Sequence, residues 1–269
     1  MFQSFFKYLL SLLLFFTFIG CSKAPITNRN QIITTDKSKE LALGKKMSNR
    51  ILRRTTISKN KKAIDIVNEV GMKIVKVVNQ DYNTTNYEWK FTVLDDKFKA
   101  SAVCLPGGRV FIYSGLFPYL DNKDELAVVL GHEIAHALAR HKVERKASSI
   151  MSNFSASIIK ILIDEDKSIL KIQKDREKNR ADEMMKEWVV LPYSRTHEYE
   201  ADHIGLVLST KAGYNPKAFL SFWRKFPQES IVKPEYSSTH PTPVNRMKKI
   251  EALMPSLMLL YNKDSKEHF

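Results

Sequence analysis

His132 and His136 stand four residues apart, and Glu133 directly follows the first of them. On a helix, positions i and i+4 share a face, so both imidazoles can be turned on one ion. Two protein nitrogens beside an open coordination position suit a catalytic zinc. Glu133, one residue further round the helix, can reach a metal-bound water as general base. Two histidines alone make a weak zinc site, so a third ligand is required. The pattern H-E-x-x-H-x-x-G-x-x-H would supply it locally, but Ala139 and Lys142 occupy its glycine and last histidine positions. His141 then reads as an ordinary residue at a helix end.

An acidic ligand from a later helix is the alternative. The segment Ser194 to Gly205 opens a helix after Leu191-Pro192-Tyr193 and carries Glu198, Glu200 and Asp202. Glu198 and Asp202 are spaced i, i+4 and share a face, while Glu200 points away. One of the pair can bind the ion and the other can hold a ligating histidine through its far ring nitrogen. The spacing does not say which. The same acids would also suit a plain helix start, where the dipole favours negative charge.

These residues need elements to position them. Lys37 to Arg54 and Lys61 to Asn79 have the spacing of two amphipathic helices, with Leu41, Met47 and Ile51 on the first and Val67, Val70, Ile74 and Val78 on the second. From Tyr87 to Leu94 the period changes to two, as a half-buried strand requires. Ala100 to Leu105 and Arg109 to Tyr113 read as two more strands, joined by a turn at Pro106-Gly107-Gly108. A small antiparallel sheet is therefore expected beside the motif helix. That helix is capped by Asp121 or Asn122, carries Asp124 and Glu125 in its first turn, shows an apolar stripe, and runs past Arg140. Ala147 to Ile163 reads as another helix, and Glu165 to Lys186 as a charge-dense helix or loop.

Phe5 to Ile19 is almost continuously apolar and leads into Gly20-Cys21, the pattern of a bacterial lipoprotein signal with Cys21 as the lipidated residue. Residues 1–20 are then the signal, 21–36 a tether, 37–262 the folded domain and 263–269 a polar tail. With Cys21 lipidated, Cys104 is alone and reads as a small buried hydrophobe. The formal charge of +14 brings no Gly-rich phosphate loop and no aromatic-plus-basic platform with it. Nucleic acid is excluded as a partner, and attraction to anionic lipid head groups accounts for the charge.

Four ordered motifs now carry a resemblance: Leu105-Pro106-Gly107-Gly108-Arg109-Val110-Phe111-Ile112-Tyr113-Ser114-Gly115, the H-E-x-x-H helix, the Ser194-Arg195-x-x-Glu198-x-x-Ala201-Asp202 run, and His240-Pro241-x-Pro243-x-x-Arg246. The chain resembles the zinc metallopeptidases related to HtpX and the CaaX prenyl proteases, in particular their periplasmic lipoprotein branch (BepA/LoiP-like), from about Leu41 to Ala252. The resemblance implies an α+β, mainly α, zincin-like domain holding one Zn2+. His132, His136 and Glu198 would be its ligands, Glu133 the catalytic base, and Asp202 the partner of a ligand. His240 and Arg246 would lie near the metal, polarising a carbonyl or holding substrate. Ser101-Ala102-Val103-Cys104 stands where the family usually has Asn-Ala-Phe-Ala, a strand that would accept an extended substrate by strand addition. The implied substrates are unfolded or misfolded envelope proteins in the bacterial periplasm. The implied setting is a lipid anchor on the outer membrane, with its assembly machinery as a partner. The rival class is a non-hydrolytic, chaperone-like lipoprotein, against which the intact Glu133 argues.

Overall fold

The computed structural model describes residues 21–148, 194–225 and 243–267. The signal segment, most of the expected helix Ala147 to Ile163, the charged stretch 165–186 and His240 lie outside the described residues.

The chain enters through a short antiparallel pair, β1 (Cys21–Lys23) and β2 (Asn30–Ile32). Two helices follow. α1 (Lys37–Arg54) is capped by Asp36, whose side chain accepts from the Ser38 N–H. α2 (Lys61–Asp81) is capped in the same way by Asn60, and buries Val67, Val70, Ile74, Val75 and Val78 along one face.

Next come β3 (Lys90–Leu94), β4 (Ala102–Leu105) and β5 (Arg109–Tyr113), which form one sheet in the order β3-β5-β4. The expectation of a purely antiparallel sheet is corrected here. β4 and β5 are antiparallel, but β3 pairs with β5 in parallel. Gly107 and Gly108, with φ of 87° and 90°, turn the chain straight back, so β4 takes one edge of β5. β3 occupies the other edge. Both faces of the sheet are covered. Phe91, Val93, Cys104, Val110 and Ile112 join the main core with α2 and the motif helix, and Leu94, Leu105, Phe111 and Tyr113 pack with Met47 and Ile51 of α1.

The motif helix α3 (Lys123–Leu138) is capped by Asn122, with Asp124 and Glu125 in its first turn. Every residue from Glu125 to Ala137 is buried, so the expected stripe is in fact burial on all sides. α3 also stops short of the expected end. Arg140 adopts φ 55°, and a separate helix begins at residue 141 and is described to 148. α4 (Arg195–Lys211), capped by Ser194, packs directly on α3. α5 (Ala218–Arg224) and α6 (Pro243–Glu267) close the far side, with Phe219, Phe222 and Trp223 buried between them and the core.

The tether expected over residues 21–36 is packed on the domain instead. Ala24, Gln31 and Ile33 are buried, and the Gln31 side chain donates to the Ala139 carbonyl at 2.5 Å.

Candidate functional site

α3 and α4 cross at two glycines. A Cβ on Gly131 would meet the Gly205 carbonyl oxygen at 2.7 Å, and one on Gly205 would meet the His132 nitrogen at 2.7 Å. The backbones therefore approach as only glycine allows, which sets the His132/His136 face against the Glu198/Asp202 face.

His132, His136 and Glu198, all buried, are the group of potential metal ligands among the described residues. Their donor atoms form a triangle. The two Nε2 atoms are 2.9 Å apart, His132 Nε2 lies 3.5 Å from Glu198 Oε2, and His136 Nε2 lies 3.4 Å from Glu198 Oε1. Zinc–ligand bonds of about 2.0–2.1 Å in a tetrahedron separate donors by roughly 3.3 Å. The donor set and its spacing fit a zinc-sized ion with one position left over.

Each histidine turns Nδ1 outward to a buried partner. His132 Nδ1 pairs with Asp202 Oδ1 at 2.9 Å. Arg246 grips that carboxylate with Nε and Nη2, both at 2.6 Å, reaches Glu198 Oε2 with Nη1 at 3.0 Å, and lies over the Trp223 ring. Burial opposes a charge on His132, but hydrogen bonds to Asp202 and Glu198 outweigh it and move its pKa up. For His136 burial wins, helped by the neighbouring His132, and the pKa falls well below the usual value.

On the other side, His136 Nδ1 meets His141 Nδ1 at 2.8 Å, and His141 Nε2 meets Glu200 Oε2 at 2.9 Å. A carboxylate only accepts, so His141 Nε2–H donates to Glu200. Burial pushes the His141 pKa down to about 4 against the pull of Glu200, so the ring is neutral and its Nδ1 accepts. His136 Nδ1–H must then donate, which leaves the Nε2 lone pair for a metal. Burial works against ionisation of Glu200, but His141 and Arg29 overcome it and hold its pKa at about 2.

Glu133, 1% exposed, accepts the Cys104 backbone N–H on Oε2 at 3.1 Å, which ties the base to the edge strand β4. Burial pushes the Cys104 thiol pKa up, as an unreactive core residue requires. Burial also pushes the Lys142 ammonium down to about 8, opposed by Glu133.

Residues 64–254 match the pattern of Peptidase family M48. The chain belongs to that family.

Mitochondrial metalloendopeptidase OMA1 of Saccharomyces cerevisiae is 28% identical over 268 residues, covering 91% of this chain and 74% of its own length. Metalloendopeptidase OMA1 of Bos taurus is 33% identical, covering 67% of this chain and 35% of its own. The Beta-barrel assembly-enhancing protease of Escherichia coli is 27% identical, covering 67% of this chain and 37% of its own. The chain thus spans about three quarters of the yeast relative but little more than a third of the other two. Metalloendopeptidase is the class shared by the family, these relatives and the chain's own motifs. The narrower periplasmic lipoprotein branch is not singled out, because the mitochondrial proteins match at least as well.

In this M48 chain the structure brings together His132, Glu133, His136, Glu198 and Asp202, as the motif spacing anticipates. Ala102 to Cys104 form β4 beside Glu133, and Ser101 immediately precedes it. Arg246 lies against the site, but its guanidinium is directed at Asp202 and Glu198 rather than at a substrate position, because two buried carboxylates need its charge. His141 is corrected from a helix-end residue to the fully buried partner of His136. Sequence reading missed Glu200, Arg29, Glu144 and His197 as parts of the site. Glu144 accepts from Arg29 and from His197, whose ring stacks on His141 with centroids 4.5 Å apart. Only His197 and Glu200, spaced i, i+3 on α4, share an element; Arg29 and Glu144 come from other parts of the chain.

Proposed function

We propose that this chain is a zinc-dependent endopeptidase of the bacterial cell envelope, lipid-anchored through Cys21 to the outer membrane. Its substrates would be misfolded or unassembled envelope proteins. The observation that carries the chemistry is the buried donor triangle of His132, His136 and Glu198 with Glu133 beside it. The apolar run Phe5 to Ile19, leading into Gly20-Cys21, supports the anchor. The likeness to the Beta-barrel assembly-enhancing protease of Escherichia coli supports the substrate class and the assembly machinery as a partner.

Bound zinc supplies a Lewis acid and a water of lowered pKa. Glu133 takes the proton of the attacking water and returns it to the leaving amine. Asp202 and the His141–Glu200 pair hold the two imidazoles in the tautomer that offers Nε2. Burial opposes ionisation of Asp202, but Arg246 overcomes it and lowers its pKa, and the same guanidinium holds Asp202 and Glu198 in place. His240 enters as a group that polarises the carbonyl or holds substrate, on the sequence resemblance alone.

β4 is the proposed substrate strand. Tyr113 N donates to Ser101 O, and Cys104 N–H turns to Glu133. Antiparallel alternation therefore turns the backbone groups of Ala102 and Cys104 to the edge away from β5. An extended peptide can pair there, giving affinity through main-chain bonds with little sequence preference.

Glu133→Gln should lower casein cleavage by about 10²- to 10⁴-fold while zinc stays bound. Cleavage by neither protein, with zinc bound to both, would favour a non-hydrolytic binding factor. Ala102→Pro, on an outward-facing N–H that the sheet does not need, should weaken cleavage of unfolded casein with zinc retained. Unchanged cleavage removes β4 from the reading.

A further inference from the structure

Thr27, Arg29 and Gln31 lie in and beside the turn between β1 and β2, more than 90 positions before the motif helix. Yet their side chains end on the metal centre's support. Arg29 Nε and Nη2 both reach Glu200 Oε2, at 2.8 and 2.6 Å, and its Nη1 and Nη2 reach the two Glu144 oxygens at 2.7 Å each. The Thr27 hydroxyl donates to the other Glu200 oxygen. Glu200 Oε2 is also the atom that receives His141 Nε2–H. The oxygen that fixes the His141 tautomer is thus the one that Arg29 grips. Ile26 holds φ 62° in the same turn, a conformation that a β-branched residue keeps only where its surroundings over-determine it.

We propose that Arg29 is a positioning residue of the metal centre, acting through Glu200 and His141 on His136. The segment after the lipidation position is then part of the metal site's frame, in addition to its place near the anchor. The inference rests on His132, His136 and Glu198 being the metal site. A cavity of about 250 Å³ bordered by Thr27, Arg29, Glu200 and Lys249 opens beside the guanidinium, whose side chain is 26% exposed. A small guanidinium ion can therefore reach its place.

The test is zinc affinity, measured by competition with a chromogenic chelator on the full chain. Wild type, Arg29→Ala, His141→Ala and the double variant are compared. Arg29→Ala should weaken binding about tenfold and His141→Ala about 10- to 100-fold. The double variant should match His141→Ala, because the coupling passes through that ring. Methylguanidinium should restore Arg29→Ala but not His141→Ala. Affinity of Arg29→Ala within twofold of wild type overturns the proposal, and so does an Arg29 effect undiminished in the His141→Ala background. Should Arg29→Ala fail to fold, Arg29→Lys keeps the charge without the fork; it should bind zinc severalfold more weakly, and wild-type affinity overturns the proposal. Wild type that binds no zinc overturns the metal centre itself, a different result from zinc binding indifferent to Arg29.

Discussion

His132 and His136 share one face of one helix, yet their outer nitrogens are held in different ways. His132 rests directly on Asp202, itself fixed by Arg246, and all three side chains are almost wholly buried. His136 rests on a second imidazole, His141, which rests on Glu200, which rests on the partly exposed Arg29. A carboxylate in contact with a ligating histidine raises its basicity more than a neutral ring can. The directly held side is therefore the more basic ligand, in keeping with the opposite pKa shifts of the two rings. On that side, removing Asp202 takes both of its bonds from a buried guanidinium that keeps Glu198. On the relayed side, removing Glu200 leaves a partly exposed guanidinium that keeps Glu144.

Asp202→Ala is the most damaging way to probe that contrast. It leaves the Arg246 charge short of a buried partner and should cost about 3–5 kcal/mol in urea unfolding of the zinc-free protein. Glu200→Ala should cost less, about 1–3 kcal/mol, the range for hydrogen bonds lost without an orphaned ion. Equal losses would abolish the distinction between the two sides. The smallest effect is in the acid limb. Burial raises the Glu144 pKa, but Arg29 and His197 bring it down from 4.5 to about 2. A depressed carboxylate contributes stability that is present above its unfolded pKa and lost as pH falls through its folded one. Stability should therefore decline from about pH 4.5 toward pH 2, and Glu144→Gln should flatten that decline. An unchanged slope would remove Glu144 from the relayed side's support.

How much of this was legible in the sequence follows the same division. The His132 side is written in two i, i+4 pairs, His132 with His136 and Glu198 with Asp202, and helical periodicity reads both directly. The His136 side is hidden from that reading. Five residues beyond His136, position 141 lies about 140° round a straight helix and faces away. The turn at Arg140, φ 55°, folds it back. Arg140 is held in that turn by Glu40 at 2.8 Å and by the Thr35 carbonyl at 3.0 Å, contacts from the other end of the chain. Likewise β3, β4 and β5 were legible as strands. Their order was not, because period-two alternation shows which face is buried and not which edge is taken.

The sequence by itself determined the donor types, their helical faces, the cap of α3 and the glycine turn between β4 and β5. These depend on neighbours within a few residues, and local sterics and hydrogen bonding decide them. The tertiary structure alone decided that the segment expected as a tether would pack down, that Arg29 would grip Glu200, and that His141 would support a ligand. The Arg29–Glu200 contact joins residues 171 positions apart, and the His141–Glu200 contact residues 59 apart. They form because a buried carboxylate must find a partner wherever the fold places one.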